Sequence, residues 1–174
     1  SGAGKTVLLK ILVGLYGPTS GIVWYDDVNF TSLDKKKVRD IRMSVGMLFQ
    51  GTALFDSMTV EENIRFPMDM FTNKTQKEKL DRVNYCLERV NLTGVNQKYP
   101  SQLSGGMQKR AGIARAIVLE PTYLFCDEPN SGLDPKTSLV IDELIHDITQ
   151  ENNITTIINT HDMNSVMEIG DNIC

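Results

Sequence analysis

The sequence predicts an α/β protein, and three observations carry that expectation. Short apolar runs of strand character alternate with amphipathic stretches of helical period along most of the 174 residues. The opening "SGAGKT" sets two glycines directly against an apolar helical run. Between about residues 56 and 104 the strand signals vanish and only helical periodicity remains. A helical subdomain, about 56–104, is therefore expected inside an α/β core of about 1–55 and 105–174, all within one domain, 1–174.

The elements follow in order. "TVLLKILVGLYGP" reads as a helix issuing from the glycine loop and stopped by Gly17 and Pro18. "GIVWYDD" is a short strand, "SLDKKKVRDIR" a polar helix opened by Ser32, and "MSVGMLFQ" a buried strand ending at Gln50. In the helical segment, "KTQKEKLDRVNYCLERVNL" sets Leu80, Val83, Leu87 and Val90 on one face, with charges opposite. A helix over "GGMQKRAGIARAIVLE" restarts the alternation. The strand "TYLFCDE", a helix over "PKTSLVIDELIHDITQE", the strand "ITTIINT" and a helix from near "HDMNSVMEI" complete it.

Bulk properties narrow the function. Hydrophobic residues make up 41% and charged residues 23%, ordinary for a globular protein with a substantial core. No apolar run approaches the roughly 18 residues of a membrane span. A net charge of −4 argues against nucleic acid as a partner, because phosphate backbones recruit basic surfaces. The three cysteines, Cys86, Cys126 and Cys174, are an odd number without metal spacing, which points to a reducing compartment. Cys126 lies in an apolar run and is expected to be a buried thiol.

Chemistry concentrates in three stretches. In "SGAGKT", Gly2 and Gly4 let the backbone approach a ligand closely, and the first amides of the helix face outward at its positive end. Lys5 adds a charge for terminal phosphates, and the Thr6 hydroxyl suits Mg²⁺. Gly4, Lys5 and Thr6 match the end of the pattern G-x-x-x-x-G-K-[ST], whose first glycine would lie before residue 1. In "YLFCDEP", Asp127 ends a strand where ligands bind in open α/β sheets, so beside a phosphate loop it would hold Mg²⁺ through water. Glu128 would then orient or deprotonate an attacking water; the plainer reading is an acidic turn before Pro129. In "LSGGMQKR", Ser104 can cap the helix that follows, and with Gly105 and Gly106 it makes a second anion-reading helix end. Two such ends far apart in sequence suggest a nucleotide shared between two copies of the chain.

Together these motifs resemble the nucleotide-binding domains of ATP-binding cassette (ABC) transporters. "SGAGKT" is similar to the end of Walker A, "MLFQ" to the Q-loop, "LSGGMQKR" to the signature and "LFCDEP" to Walker B. "SGLD" is similar to the D-loop through Asp134, and "NTHD" to the switch-histidine motif through His161. The resemblance implies a P-loop NTPase fold, an ABC-type ATPase core with an inserted α-helical subdomain, and ATP and Mg²⁺ as cofactors. It also implies roles. Ser1, Gly2, Ala3, Gly4, Lys5 and Thr6 would hold the β- and γ-phosphates, with Thr6, Gln50 and Asp127 at the magnesium. Ser104, Gly105 and Gly106 would cap the γ-phosphate of ATP on the opposite protomer, with Asp134 also at the nucleotide. Glu128 would be the catalytic base, and His161 and Gln50 its partners in hydrolysis.

A narrower resemblance, carried by "FQGTALFDSMTVEENIRFP", "LSGGMQKRAGIARAI" and "DPKTSLVIDELI", is to the ATPases of Mce/Mla-type phospholipid transporters. It implies a homodimer closed by ATP, a membrane permease and an Mce-domain substrate-binding protein as partners, and no nucleic acid. The implied location is cytoplasmic, on the inner face of the bacterial inner membrane. Thr52 stands where many of those proteins have glycine, and Asn130 where a threonine or small residue is common. Leu54 and Phe55 are expected either to tuck into the joint with the helical subdomain or to line a groove for a permease helix. Family members also carry N-terminal strands with an adenine-stacking aromatic, so the chain is expected to be truncated at both ends. The alternatives are another importer or exporter, or a soluble ABC protein of DNA repair, chromosome structure or translation. No heptads run between Gln50 and Leu103, which disfavours the coiled-coil repair and chromosome proteins.

Overall fold

The computed structural model of the chain describes residues 4–173. Helix α1, Lys5–Leu12, starts at Gly4, whose φ of 80° is a conformation glycine adopts without strain. It ends sooner than expected. Gly14 takes a φ of 73°, and the Phe30 ring fills the space a Cβ would need there. Arg42 Nη2 donates to the Gly14 carbonyl at 2.6 Å. The stop signal is this left-handed glycine, not Gly17 and Pro18.

Strands β1, Trp24–Tyr25, and β2, Val28–Asn29, pair antiparallel. A 3-10 turn, Phe30–Ser32, leads to α2, Lys35–Met43. The expected cap Ser32 is absorbed in that turn, where its amide bonds Asn29 Oδ1. Asp34 caps α2 instead, accepting from the amides of Lys36 and Lys37. Strand β3 is Val45–Leu48. Helices α3, Val60–Phe71, α4, Gln76–Arg89, and α5, Gly105–Ile117, follow without an intervening strand among the described residues. The chain continues through β4, Tyr123–Asp127, α6, Pro135–Glu151, β5, Thr155–Asn159, and α7, Met163–Ile169.

Strands β3, β4 and β5 form a parallel sheet in that order, with Val45 opposite Tyr123 and Asp127 opposite Asn159. The two faces of β4 feed two cores, as a period of two requires. Phe125, with Tyr123 partly buried beside it, packs with Leu9, Val13, Tyr25 and Phe30 beneath α1 and the hairpin. Leu124 and Cys126 face the larger core, built from Leu48, Ile64, Met68, Leu87, Ile113 and Ile145. Gly46 is set against the end of α5, where any Cβ would run into the Ala116 carbonyl.

Helices α3 and α4 each begin with a complete capping box, Thr59 with Glu62 and Thr75 with Glu78. The apolar face of α4 is rotated slightly from expectation. Val83, Leu87 and Val90 are buried, but Leu80 is 39% exposed. Lys79 takes the inward place, burying its stem and reaching Asp69 Oδ1 at 2.8 Å. Among the described residues no helix is long and apolar enough to cross a membrane.

Two tests follow from the packing. Leu87→Ala should cost about 2–5 kcal/mol, whereas Leu80→Lys should change stability by less than about 0.5 kcal/mol; urea denaturation compares them. Burial raises the thiol pKa of Cys86 to about 11 and of Cys126 to about 12. In a Cys174→Ser variant, iodoacetamide at neutral pH should label neither thiol in the folded protein and both in denaturant, as read by mass spectrometry.

Candidate functional site

The site forms where the C-terminal ends of the parallel strands meet the start of α1. Asp127, the last residue of β4, is 3% exposed. Thr6 Oγ1 donates to Asp127 Oδ1 at 3.0 Å, and Asn159 Nδ2, at the end of β5, donates to the same oxygen at 2.6 Å. Asn159 Oδ1 is buried and has no hydrogen-bond partner among the described residues. The Lys5 ammonium reaches the Thr160 carbonyl at 3.0 Å from an exposed position. Lys5, Thr6, Asp127 and the β5 end are therefore together, as expected. Ser1, Gly2 and Ala3 lie outside the described residues.

Glu128 follows directly in the left-handed region, with φ 50°. Its amide donates to the Asn159 carbonyl at 2.7 Å, which fixes the bend. The side chain meets His161, whose Nδ1 lies 2.7 Å from Glu128 Oε2. Glu128 is mostly covered and His161 mostly exposed, so the pair sits at the mouth of a cleft of about 560 Å³. Behind it Asn130 Nδ2 donates to Asp142 Oδ1 at 2.8 Å and to Ser165 Oγ at 3.0 Å. Ser165 Oγ donates in turn to Asp142 Oδ2 at 2.7 Å.

Gln50 stands just past β3, and its amide donates to Ser131 Oγ at 3.3 Å, in the loop after Glu128. Among the described residues its side chain is thus tied to the loop after Glu128 and not to Thr6 or Asp127. Ser104, Gly105 and Gly106 are elsewhere. Ser104 caps α5, accepting from the Met107 amide at 3.3 Å. Gly105 lies beside Leu133, and a Cβ on Gly106 would come within 2.8 Å of Thr137 Cγ2. Asp134 is on this second surface. It caps α6, accepting from the Thr137 amide at 3.1 Å and the Thr137 hydroxyl at 2.6 Å, and these bonds hold its carboxyl below the usual range. α1 packs on β4 and β5, while α5 packs on α3, α4, β3 and α6. The two expected phosphate-reading helix ends are set on different parts of the molecule.

Leu54 and Phe55 differ in burial. Leu54 packs against the larger core. Phe55 is 41% exposed, its ring 5.0 Å from that of Phe66. Its backbone is gripped by Asn63, which accepts from the Phe55 amide at 2.7 Å and donates to its carbonyl at 3.1 Å.

Sequence reasoning missed Asn159 and Lys109. A polar residue closing the apolar run "ITTIIN" was a signal for the first. Lys109 sits in "QKR", which reads as a solvated charge, yet it is 4% exposed. Its ammonium donates to the Gln50 carbonyl at 2.5 Å and the Glu128 carbonyl at 3.4 Å. Burial lowers its pKa, opposed by the nearby charges of Asp127 and Glu128.

Comparison with known proteins places this geometry in a family. The model of the family described as "ABC transporter" matches residues 1–131. The chain is 42% identical over 173 residues to a probable ribonucleotide transport ATP-binding protein, mkl, of Mycobacterium leprae, covering 99% of this chain and 50% of that protein. It is 44% identical over 173 residues to the methionine import ATP-binding protein MetN of Carboxydothermus hydrogenoformans, covering 99% and 51%. The chain spans about half the length of these curated relatives. Among solved structures it resembles the ATP-binding cassette MJ0796, dimeric and bound to ADP and Pi in a post-hydrolysis state. That match has a TM-score of 0.84 and 32% identity over 93% of this chain and 72% of that one. A parallel sheet with Thr6, Asp127, Glu128 and His161 at one end, and a family model matched over most of the chain, lead to one conclusion: the chain belongs to the ABC transporter family.

Proposed function

We propose that the protein is the ATP-binding and ATP-hydrolysing part of an ABC transporter. The observation that carries this reading is the cluster of Asp127 and Asn159 on Thr6 at the start of α1, with the Glu128–His161 pair following Asp127 and Asn159 in the chain. The amides of Gly4, Lys5 and Thr6 and the Lys5 ammonium bind phosphate oxygens. The hydroxyl of Thr6 and the carboxylate of Asp127 are hard oxygen donors, and the unpartnered Asn159 Oδ1 lies beside them. Such donors suit Mg²⁺, which takes few protein ligands and completes its shell with phosphates and water. When bound, the ion neutralises charge on the β- and γ-phosphates. Glu128 takes the proton of the attacking water, and His161, with its proton on Nδ1, holds that carboxylate in place.

The separation of the Ser104 and Lys5 ends supports a head-to-tail homodimer in which Ser104, Gly105 and Gly106 meet the γ-phosphate bound to the other protomer. Its likeness to proteins of ribonucleotide transport and methionine import supports solute transport with a membrane permease. Phospholipid as the cargo rests only on the narrower sequence resemblance, as do the Mce-domain partner and the inner-membrane location. The exposed Phe55, beside Phe66, is the surface we assign to the permease.

Glu128→Gln keeps the shape and removes proton acceptance. Hydrolysis should fall roughly 10²–10⁴-fold while ATP binding persists, and near-normal turnover would remove Glu128 from the role. Ser104→Arg should abolish ATP-driven dimerisation in gel filtration and leave nucleotide binding to the monomer intact. Mixed with a Lys5→Ala variant, it should regain dimerisation through one composite site; ATP-driven dimers of Ser104→Arg alone would exclude the shared arrangement.

A further inference from the structure

The Gln50 loop is held in a conformation its own residues resist. Thr52 and Ala53 are consecutive and both left-handed, with φ of 62° and 50°. Non-glycine residues in this region are strained and persist only where the surroundings enforce the conformation. The surroundings here are one face of α5. Arg115 Nη2 donates to the Thr52 carbonyl at 2.6 Å and Nη1 to the Ala53 carbonyl at 2.7 Å. Gly112 faces Thr52 across this contact; a Cβ there would be in ordinary contact with Thr52 Cβ at 3.5 Å and crowded only by Leu48 Cδ1 at 3.0 Å. One helical step back, Lys109 holds the Gln50 carbonyl. Thr52 is 5% exposed as a result. Arg115 is part-buried, and burial lowers its pKa. Among the described residues its hydrogen bonds go to these two carbonyls, and none goes to Thr6, Asp127 or Glu128.

We propose that Arg115 is a positioning residue for the ATPase: by clamping the strained Thr52–Ala53 turn to α5, it sets where Gln50 stands relative to Ser131 and Glu128. The proposal rests on the ATPase reading. It adds that the helix opened by Ser104, which would meet the nucleotide of the other protomer, also fixes the Gln50 loop of its own protomer. A planar guanidinium is suited to this, because its fork can grip two successive carbonyls at once.

The test compares Arg115→Met, Arg115→Lys, Gln50→Ala and the double variant Arg115→Met/Gln50→Ala in the full chain. Two readouts are used: steady-state ATP hydrolysis, and amide hydrogen exchange of residues 50–55. Arg115→Met should raise exchange in 50–55, leave the interior of α5 protected, and lower kcat by roughly 10–10²-fold with ATP binding unchanged. Arg115→Lys, able to reach one carbonyl, should recover part of kcat. The double variant should be no slower than the slower single variant, since both act through Gln50. Ala53→Gly, which relieves the left-handed strain, should restore part of the lost kcat in the Arg115→Met background. If Arg115→Met fails to fold, the same comparison on Arg115→Lys decides. Unchanged kcat in a folded variant with loosened 50–55 overturns the positioning role, and multiplicative losses in the double variant overturn its action through Gln50. An unmodified chain without ATP hydrolysis would defeat the ATPase reading and the positioning role that rests on it, whereas exchange in 50–55 would still report the clamp.

Discussion

The fate of one carboxylate organises the site. Asp127 lies at the end of a central strand with almost no access to water, and a buried charge is tolerated only with partners. Two hydrogen bonds meet on its Oδ1, from Thr6 at the start of α1 and from Asn159 at the end of β5. The parallel register that sets Asp127 opposite Asn159 makes the second bond possible, and the packing of α1 on β4 makes the first. The next residue inherits the constraint. Its amide is drawn to the Asn159 carbonyl, the chain bends into the left-handed region, and the Glu128 side chain is delivered to His161. Lys109 places a positive charge behind the same turn.

The alternating architecture, the positions of all three sheet strands and the Lys5, Thr6, Asp127 and Glu128 cluster were legible in the sequence, because each depends on local period or on residues at fixed spacing. What escaped was decided by neighbours far along the chain. Gly14 ends α1 because Phe30 and Arg42 close over it. Leu80 yields the inner face to Lys79 because Asp69 waits across the helix pair. Lys109 and Arg115 drew no expectation from the sequence, because the carbonyls they serve lie far along the chain. Gln50 and Asp134 have nucleotide roles by resemblance alone; in this structure their side chains bond Ser131 and the start of α6.

The stretch carrying the narrower resemblance is engaged inside the molecule. Thr52 is buried, Ala53 is clamped through its carbonyl, Leu54 packs on the core, and the Phe55 backbone is held by Asn63. Residues used in this way report how a loop is fastened to its helices.

The paired capping boxes of α3 and α4 bear on how the chain reaches this structure. Strand β3 must find β4 across the whole helical segment, with Val45 opposite Tyr123. The entropy lost in closing a loop grows with the length of unstructured chain between its ends. Thr59 with Glu62 and Thr75 with Glu78 fix both helix starts using residues three positions apart, without help from the sheet. Every residue so ordered is removed from the floppy length that separates β3 from β4. The same insertion that divides the sheet in sequence thereby shortens the search that joins it in space.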